Sequence, residues 1–222
     1  MFGAEDNGDE ATVYLYDVIV SDDYWGGVST LSFAKQLASI TAPTINLRIN
    51  SPGGDVFAAR AMETAIREHK SNIISHIDGQ AASAATYVAI AADTVKMSEG
   101  GFFMIHKAWS IAWGNADDML QMAALLEKVD ESLVATYANH TGKDAGEIRE
   151  WMAAETWFGA QEALDAGFVD EIVTVPVKNQ QRWDLSAYAH APKIAQENEI
   201  KMKHQTEMQH MKRMAALARH LP

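Results

Sequence analysis

Cysteine is absent from this chain, which excludes disulfides, thiol nucleophiles and cysteine metal sites. No uninterrupted apolar run reaches the roughly 18 residues a membrane-crossing helix needs, so no transmembrane segment is expected. The acidic stretch Met1–Ala11 lacks the basic-then-apolar order of a secretory leader. These absences fit a cytoplasmic protein. Positive charge is also scarce: 18 Lys and Arg stand against 30 Asp and Glu, a net charge of −12. From His190 onward six Lys and Arg meet three Asp and Glu, so that tail carries +3 and the rest carries −15. An acidic body argues against sequence-independent nucleic-acid binding by that body.

With 222 residues and 48% hydrophobic content, the chain can build one sizeable core. Thr12–Val20 reads as a strand and Trp25-Gly26-Gly27 as a turn. Ser29 caps a helix reaching Ile40, and Pro43 stops it. A strand over Thr44–Asn50 leads to a helix capped by Asp55 and running to about His69. Val56, Ala59, Met62, Ala65 and Ile66 share one face of that helix. A β-rich run at Asn72–Ile77 precedes an apolar helical run at Ala84–Ala92, and short strands follow at Thr94–Met97 and Phe102–Ile105. A long amphipathic helix starts at Asn115 or Asp117 and ends near Asn139, and another begins near Asp144. Glu162–Ala166 forms a short helix ended by Gly167, and Val169–Val175 closes the sheet. Strands alternating with helices at this spacing predict an α/β fold with right-handed crossovers.

Three segments carry chemistry. Asp78-Gly79-Gln80-Ala81-Ala82-Ser83-Ala84-Ala85 puts a serine at a strand-to-helix turn among small residues. Such a turn presents a hydroxyl for nucleophilic attack, lets a carbonyl approach, and offers a helix N-terminus to developing negative charge. Tight packing of a helix start explains the same small residues. Ser51-Pro52-Gly53-Gly54-Asp55 joins strand to helix, and its consecutive glycines leave backbone N–H groups approachable, as an oxyanion hole requires. An ordinary glycine turn has the same composition. Gly101-Phe102-Phe103-Met104-Ile105-His106 is an apolar strand ending on a histidine, whose ring can emerge at a site edge and act as a base. A satisfied core or surface histidine is the plainer reading.

Together, INSPGGDV, the GQAAS serine box, MIH and the HTG stretch from His140 to Ile148 resemble the proteolytic subunit of the Clp protease (ClpP) family, from about Val13 to Val173. AWGNADD and ETWFGAQEALDAGFVDEI are similar in style to the ClpP-like head maturation proteases of tailed phages. The resemblance implies the ClpP/crotonase fold, with repeated ββα units and a protruding handle helix at about Gly114–Asn139. It implies a serine endopeptidase with Ser83 as nucleophile and His106 as base, and with the backbone N–H groups of Gly54 and Ala84 as oxyanion hole. Counting from His140-Thr141-Gly142, the family's aspartate position holds Glu155, which can accept the same imidazole N–H bond. Otherwise Glu155 is a solvent carboxylate at a helix end, and Asp165 and Asp170 are the next candidates. The family acts on polypeptides inside homo-oligomeric chambers, usually two stacked rings of seven, and needs no cofactor and no metal. In the handle, Met119, Met122, Leu125, Leu126, Val129 and Leu133 form an apolar stripe that packs on another subunit or on its own domain.

Two departures from the family matter. Ala154 stands where the housekeeping enzymes place an arginine that couples triad to ring assembly. The N-terminus has no clear match to the pore-lining segment, so partnership with an unfoldase ATPase is not expected. The domain reading is therefore a flexible acidic N-terminus over 1–11, a ClpP-like serine protease domain over 12–175, and a basic tail rich in Met, His and Gln over 176–222, partly disordered or a docking helix. The tail's Ile200, Met208, Met211, Ala215 and Ala218 give a partial helical stripe, suited to docking on acidic capsid or scaffold proteins. A solvated tail is the plainer alternative. Its four histidines match no compact metal site. Three other functions compete with phage head maturation by proteolysis. One is a catalytically inactive ClpP-like assembly factor, against which the intact Ser83, His106 and Glu155 set argues. Another is crotonase-type acyl-CoA chemistry, which has no need of a serine paired with histidine. The third is a Ser-Lys peptidase, for which no lysine stands at the position of His106.

Overall fold

The computed structural model describes residues 4–6, 8–22, 24, 26–174 and 188–190. The chain divides into two units, Met1–Gln181 and Arg182–Pro222. The expected docking tail, the Trp25 position and the end of the expected closing strand at Val175 lie outside the described residues.

The first unit is built on one mainly parallel sheet. Its path runs β1 (Ala4–Asp6), β2 (Glu10–Leu15), β5 (Thr44–Ser51), β6 (Asn72–Ala82), β7 (Thr94–Ser98) and β10 (Glu171–Val173). Strand β8 (Phe102–Ile105) also pairs with β6, and β9 (Thr156–Gly159) pairs with β8. All neighbours are parallel except β1 on β2 and β9 on β8. A second, two-stranded sheet joins β3 (Ile19–Val20) to β4 (Val28–Ser29). Six helices follow the strands: α1 (Thr30–Ser39), α2 (Val56–Arg67), α3 (Ala84–Ala89), α4 (Ala116–Thr141), α5 (Ala145–Ala153) and α6 (Ala160–Ala166).

The helix starts follow their caps. Ser29, Asp55, Asn115 and Asp144 each accept a backbone N–H of the first turn through their side chains, which satisfies donors that have no intrahelical partner. Gly142 and Gly167 end α4 and α6 in the left-handed conformation. The core lies where alternate residues of the sheet (Val13, Leu15, Ile45, Leu47, Ile49, Ile73, Ile77, Val95 and Met97) meet Phe33, Leu37, Met62 and Ile66 of α1 and α2. Each large aliphatic side chain withdrawn there stabilises the fold by about 1.5–3 kcal/mol.

Strands β1 and β4 are unanticipated, and two further elements differ from the sequence reading. The strand expected over Thr12–Val20 is broken into β2 and β3. Asp17 causes the break: its carboxylate accepts the Val18 N–H at 2.8 Å and its carbonyl accepts the Ser51 hydroxyl at 2.7 Å, so local bonds replace the ladder. Strand β9 is unanticipated, because a strand of only Thr156–Gly159 shows too little alternation to register.

Strand β6 changes partner along its length. Ile74–Ile77 pair with β7, whereas Gln80–Ala82 pair with β8. The change falls at Asp78-Gly79, where the Asp78 carbonyl accepts the Ser98 hydroxyl at 2.7 Å. On the other side, the β5 register shifts between Ile49 and Ser51, which bends the strand end away from the main sheet.

Helix α4 is rooted at its C-terminal half, where Leu133, Val134 and Tyr137 are buried. Arg60 of α2 donates to Thr136 Oγ1 at 2.9 Å and to Ser132 Oγ at 3.1 Å, and its guanidinium lies over the Tyr87 ring. Arg149 of α5 pairs with Glu131 at 2.6 Å. Toward the N-terminus the apolar stripe comes free of its own body: Met119 and Leu125 are exposed, as are Leu120, Trp109, Ile111 and Trp113. Among the described residues no helix is long and apolar enough to cross a membrane.

Gly53 marks a close approach of two stretches of backbone. It adopts φ +93°, and an added Cβ would lie 2.5 Å from the Ala82 carbonyl oxygen and 2.8 Å from the Ala84 nitrogen. A side chain therefore meets both backbone strain and backbone atoms that cannot yield. Gly53→Ala is expected to lower the melting temperature by about 5 °C or more, from about 2 kcal/mol or more of strain and overlap. Gly100→Ala, placed where a Cβ meets nothing within 4 Å, is the control and should melt like the parent. Calorimetry of the two variants checks this.

Candidate active site

Ser83 sits between the last residue of β6 and the first of α3, at φ 52° and ψ −125°. For a residue with a Cβ this conformation is strained by about 1–3 kcal/mol and persists only when neighbours fix it. The Ser83 N–H donates to the Met104 carbonyl at 2.9 Å, and the Ser83 carbonyl accepts the Thr86 N–H at 3.0 Å and the Thr86 hydroxyl at 2.6 Å. Ala81, Ala82, Ala84 and Ala85 around it are buried, so the turn has no bulky flank. The Ser83 hydroxyl makes no cap bond to α3. It lies instead 2.8 Å from His106 Nε2.

The sheet explains that meeting. Ala82 stands beside Met104 in the parallel β6–β8 register, so Ser83 and His106 emerge together where the two strands stop. Two N–H bonds hold the segment after His106: Lys107 donates to the Met152 carbonyl at 3.2 Å, and Ala108 to Asp130 Oδ1 at 2.8 Å. Strand β9 brings Glu155, the residue just before it. Ile105 pairs with Thr156 in the antiparallel register, and one further step sets His106 opposite Glu155. Glu155 has the left-handed φ of 49°, and its N–H also donates to the Met152 carbonyl, at 3.3 Å. Its side chain is half-buried and accepts the Trp157 indole N–H at 3.3 Å. It is therefore not the solvent carboxylate of a helix end.

Electrostatics agree with this placement. Burial pushes the His106 imidazole below its ordinary pKa, and the Glu155 carboxylate and then that of Asp130 pull it back up. Asp130 escaped the sequence reading, because an aspartate on an amphipathic helix gives no sign of the loop it will meet. Asp170 and Asp165, the reserve candidates, are engaged elsewhere. Asp170 accepts the Val95 N–H at 2.8 Å, and Asp165 accepts the Gln161 amide at 2.8 Å.

The glycine pair faces the same turn. Gly53 O accepts the Ile19 N–H at 2.8 Å and the Asp55 N–H donates to the Ile19 carbonyl at 2.9 Å, so the loop forms a parallel bridge with β3. In such a bridge the groups on either side of Gly54 face Ile19, and the Gly54 N–H points the opposite way. Gly54 itself is exposed, and a Cβ there would lie 2.0 Å from the Ile19 carbonyl oxygen. The neighbouring Gly53 abuts the Ala84 nitrogen, which places the two candidate N–H donors on adjoining stretches of backbone. Among the described residues no group of three or more His, Asp or Glu is placed to hold a metal ion.

Comparison with known proteins bears on the family and the fold. Residues 9–176 match the family model described as Clp protease. The chain is 30% identical over 131 residues to an ATP-dependent Clp protease proteolytic subunit of Bacteroides fragilis, across 58% of this chain and 63% of that protein. It is 31% identical over 134 residues to the subunit of that name from Streptococcus thermophilus, across 59% of this chain and 68% of that one. The matched stretch thus falls short of two thirds of the Bacteroides relative. The solved structure of a ClpP1 mutant from Listeria monocytogenes superposes with a TM-score of 0.64 at 25% identity, covering 74% of this chain and 91% of that one. The fold is the mixed α/β fold of ClpP, and with the family model spanning most of its length the chain belongs to the Clp protease family.

Proposed function

We propose that the chain is a serine endopeptidase that hydrolyses polypeptide segments. The observation that carries this reading is the Ser83 Oγ to His106 Nε2 contact of 2.8 Å at a strained turn. In the proposed reaction Ser83 Oγ attacks the scissile carbonyl carbon as His106 Nε2 takes the hydroxyl proton. The carbonyl oxygen becomes an oxyanion that accepts hydrogen bonds from the Gly54 and Ala84 N–H groups. Collapse breaks the C–N bond, and His106 returns the proton to the leaving amine. Water, deprotonated by His106, then hydrolyses the acyl-enzyme and restores Ser83. Glu155 orients the imidazole and stabilises its protonated form.

Two measurements test the triad. A fluorophosphonate is expected to label Ser83 alone, and labelling that survives Ser83→Ala would remove the assignment. Glu155→Gln should lower kcat strongly, since losing a triad member costs on the order of 10⁴. The pH profile gives an independent sign. His106 must be neutral to act, and its pKa lies below the ordinary value, so kcat/KM should rise to its plateau with a midpoint below 6.5. Glu155 pulls that pKa upward, so Glu155→Gln should move the midpoint lower still; an upward or absent shift would place the orienting carboxylate elsewhere.

The same reading gives a chamber of homo-oligomeric rings, in the family's usual form of seven subunits per ring and two rings stacked. The exposed apolar residues of the arm, Trp113, Leu120 and Leu125 among them, support burial against another copy. Native mass measurement should find stacked rings, and Leu120→Glu with Leu125→Glu should reduce them to smaller assemblies. A parent chain that stays monomeric at micromolar concentration would refute the chamber.

We further assign the enzyme to phage head maturation, acting on scaffold-type segments, on the likeness of AWGNADD and the 155–172 stretch to head proteases. The basic tail would recruit an acidic capsid or scaffold partner by charge attraction and apolar burial. Truncation after Val175 should leave rings and small-peptide cleavage intact while weakening co-assembly with such proteins, and added salt should mimic that loss. Loss of rings or of peptidase activity on truncation would make the tail part of the folded body instead.

A further inference from the structure

Two buried hydroxyls have no part in the reaction as proposed. Thr86 on α3 and Tyr137 on α4 are both withdrawn from water, and their oxygens lie 2.6 Å apart. The direction of their bond follows from counting protons. Thr86 Oγ1 also lies 2.6 Å from the Ser83 carbonyl oxygen, which carries no hydrogen, so the threonine must donate there. A hydroxyl has one proton, so toward Tyr137 the threonine can only accept. Burial holds the Tyr137 phenol well above its ordinary pKa, and it keeps its proton to donate. The chain therefore runs from the Tyr137 hydroxyl to the Thr86 hydroxyl to the Ser83 carbonyl.

The Ser83 carbonyl and the Ala84 N–H belong to one planar trans peptide, so they point in opposite directions. Whatever fixes the carbonyl also fixes the N–H. The Thr86 N–H at 3.0 Å holds the carbonyl from the backbone of α3, and the hydroxyl chain holds it from α4. Hydrogen bonds to a carbonyl also polarise its amide, which makes the N–H on the far side a stronger donor. A threonine inside a helix often bonds back to the carbonyl three residues earlier, and by itself that contact would be local. The second hydroxyl distinguishes this one, because a residue 51 positions away in the chain is placed to set the threonine rotamer.

We propose that Thr86 and Tyr137 are positioning residues of the oxyanion hole: through the Ser83 carbonyl they aim and polarise the Ala84 N–H. The inference rests on the assignment of Ser83 as nucleophile and of the Ala84 N–H as oxyanion donor. It adds that the quality of that donor is set by a buried hydroxyl relay rooted in α4.

The test compares Thr86→Val, Thr86→Ser and Tyr137→Phe with the full-length parent on a small fluorogenic peptide, with kcat expressed per fluorophosphonate-labelled Ser83. Removing an oxyanion donor outright costs about 10²–10³ in kcat, so misaiming one in Thr86→Val should cost about 10–100-fold with KM nearly unchanged. Tyr137→Phe loses only the distal hydroxyl, and a smaller kcat loss of about 3–10-fold is expected. Thr86→Ser keeps the hydroxyl and should recover most of the rate lost in Thr86→Val. A peptide boronate, whose tetrahedral adduct places an oxygen in the hole, should bind Thr86→Val more weakly by about the factor lost in kcat/KM. The acid-limb midpoint of the pH profile should stay where it is, since His106 is untouched. Should Thr86→Val not fold, Tyr137→Phe and Thr86→Ser carry the comparison. Parent values of kcat per labelled site and of boronate affinity in Thr86→Val or Tyr137→Phe overturn the relay, even if the variants melt lower or label less. A parent enzyme that cleaves nothing and is not labelled at Ser83 overturns the underlying assignment, and the relay with it.

Discussion

At Asp78, β6 stops pairing with β7, and by Gln80 it has taken up β8. Everything at the site depends on this change of partner. A strand that kept one neighbour would end flush with the main sheet, and its last residue would face the helix layer. Here the end of β6 pairs with β8, and the chain leaves β8 at His106. The parallel β6–β8 ladder then sets Ser83 and His106 at adjacent strand ends, and the antiparallel β8–β9 ladder adds Glu155 across from His106. Three residues distant in sequence are aligned by backbone hydrogen bonds rather than by side-chain packing. At Gly79 a Cβ would lie 2.8 Å from Asn50 Oδ1, so a side chain there would have to displace the Asn50 amide.

Strain is concentrated at the same place. Among the described residues, Ser83 and Glu155 are the non-glycine residues with positive φ. Each is held by backbone bonds that reach into another element: Ser83 to Met104 of β8, and Glu155 to Met152 of α5. The Met152 carbonyl serves Lys107 as well, so one oxygen ties the segment after His106 to the turn that carries Glu155. Strain of about 1–3 kcal/mol per residue is tolerated because several independent contacts over-determine each conformation.

Much of this could be read from the sequence, and what could not has a common cause. Caps are local: Ser29, Asp55 and Asn115 announce their helices because the bonds they make lie within three residues. Ser83 and His106 follow strand-forming runs and Gly54 lies in a glycine pair after another strand, so all three were visible as candidates, and the order of their motifs along the chain carried the family. Strand β9 was not visible, since it is short and earns its place by pairing with β8 rather than by pattern. Asp130, Thr86 and Tyr137 were missed for the same reason. Asp130 meets Ala108 across 22 residues, and Tyr137 meets Thr86 across 51. A polar residue on a helix gives no local sign of a partner that only the tertiary fold supplies.

Helix α4 joins two tasks that its own length keeps apart. Its root is buried and supplies Tyr137 to the turn of Ser83 and Asp130 to the segment after His106. Its far end exposes Leu120 and Leu125 and lies, at 1.5 Å per residue, about 25 Å from Tyr137. Ser83 and His106 themselves meet at 2.8 Å. On the proposed reading, assembly adds enclosure: walls that exclude folded proteins and admit extended segments. Chemistry and access then rest on opposite ends of one helix. On that reading a change at the tip would alter which polypeptides reach Ser83, and a change at the root how fast a bound one is cut.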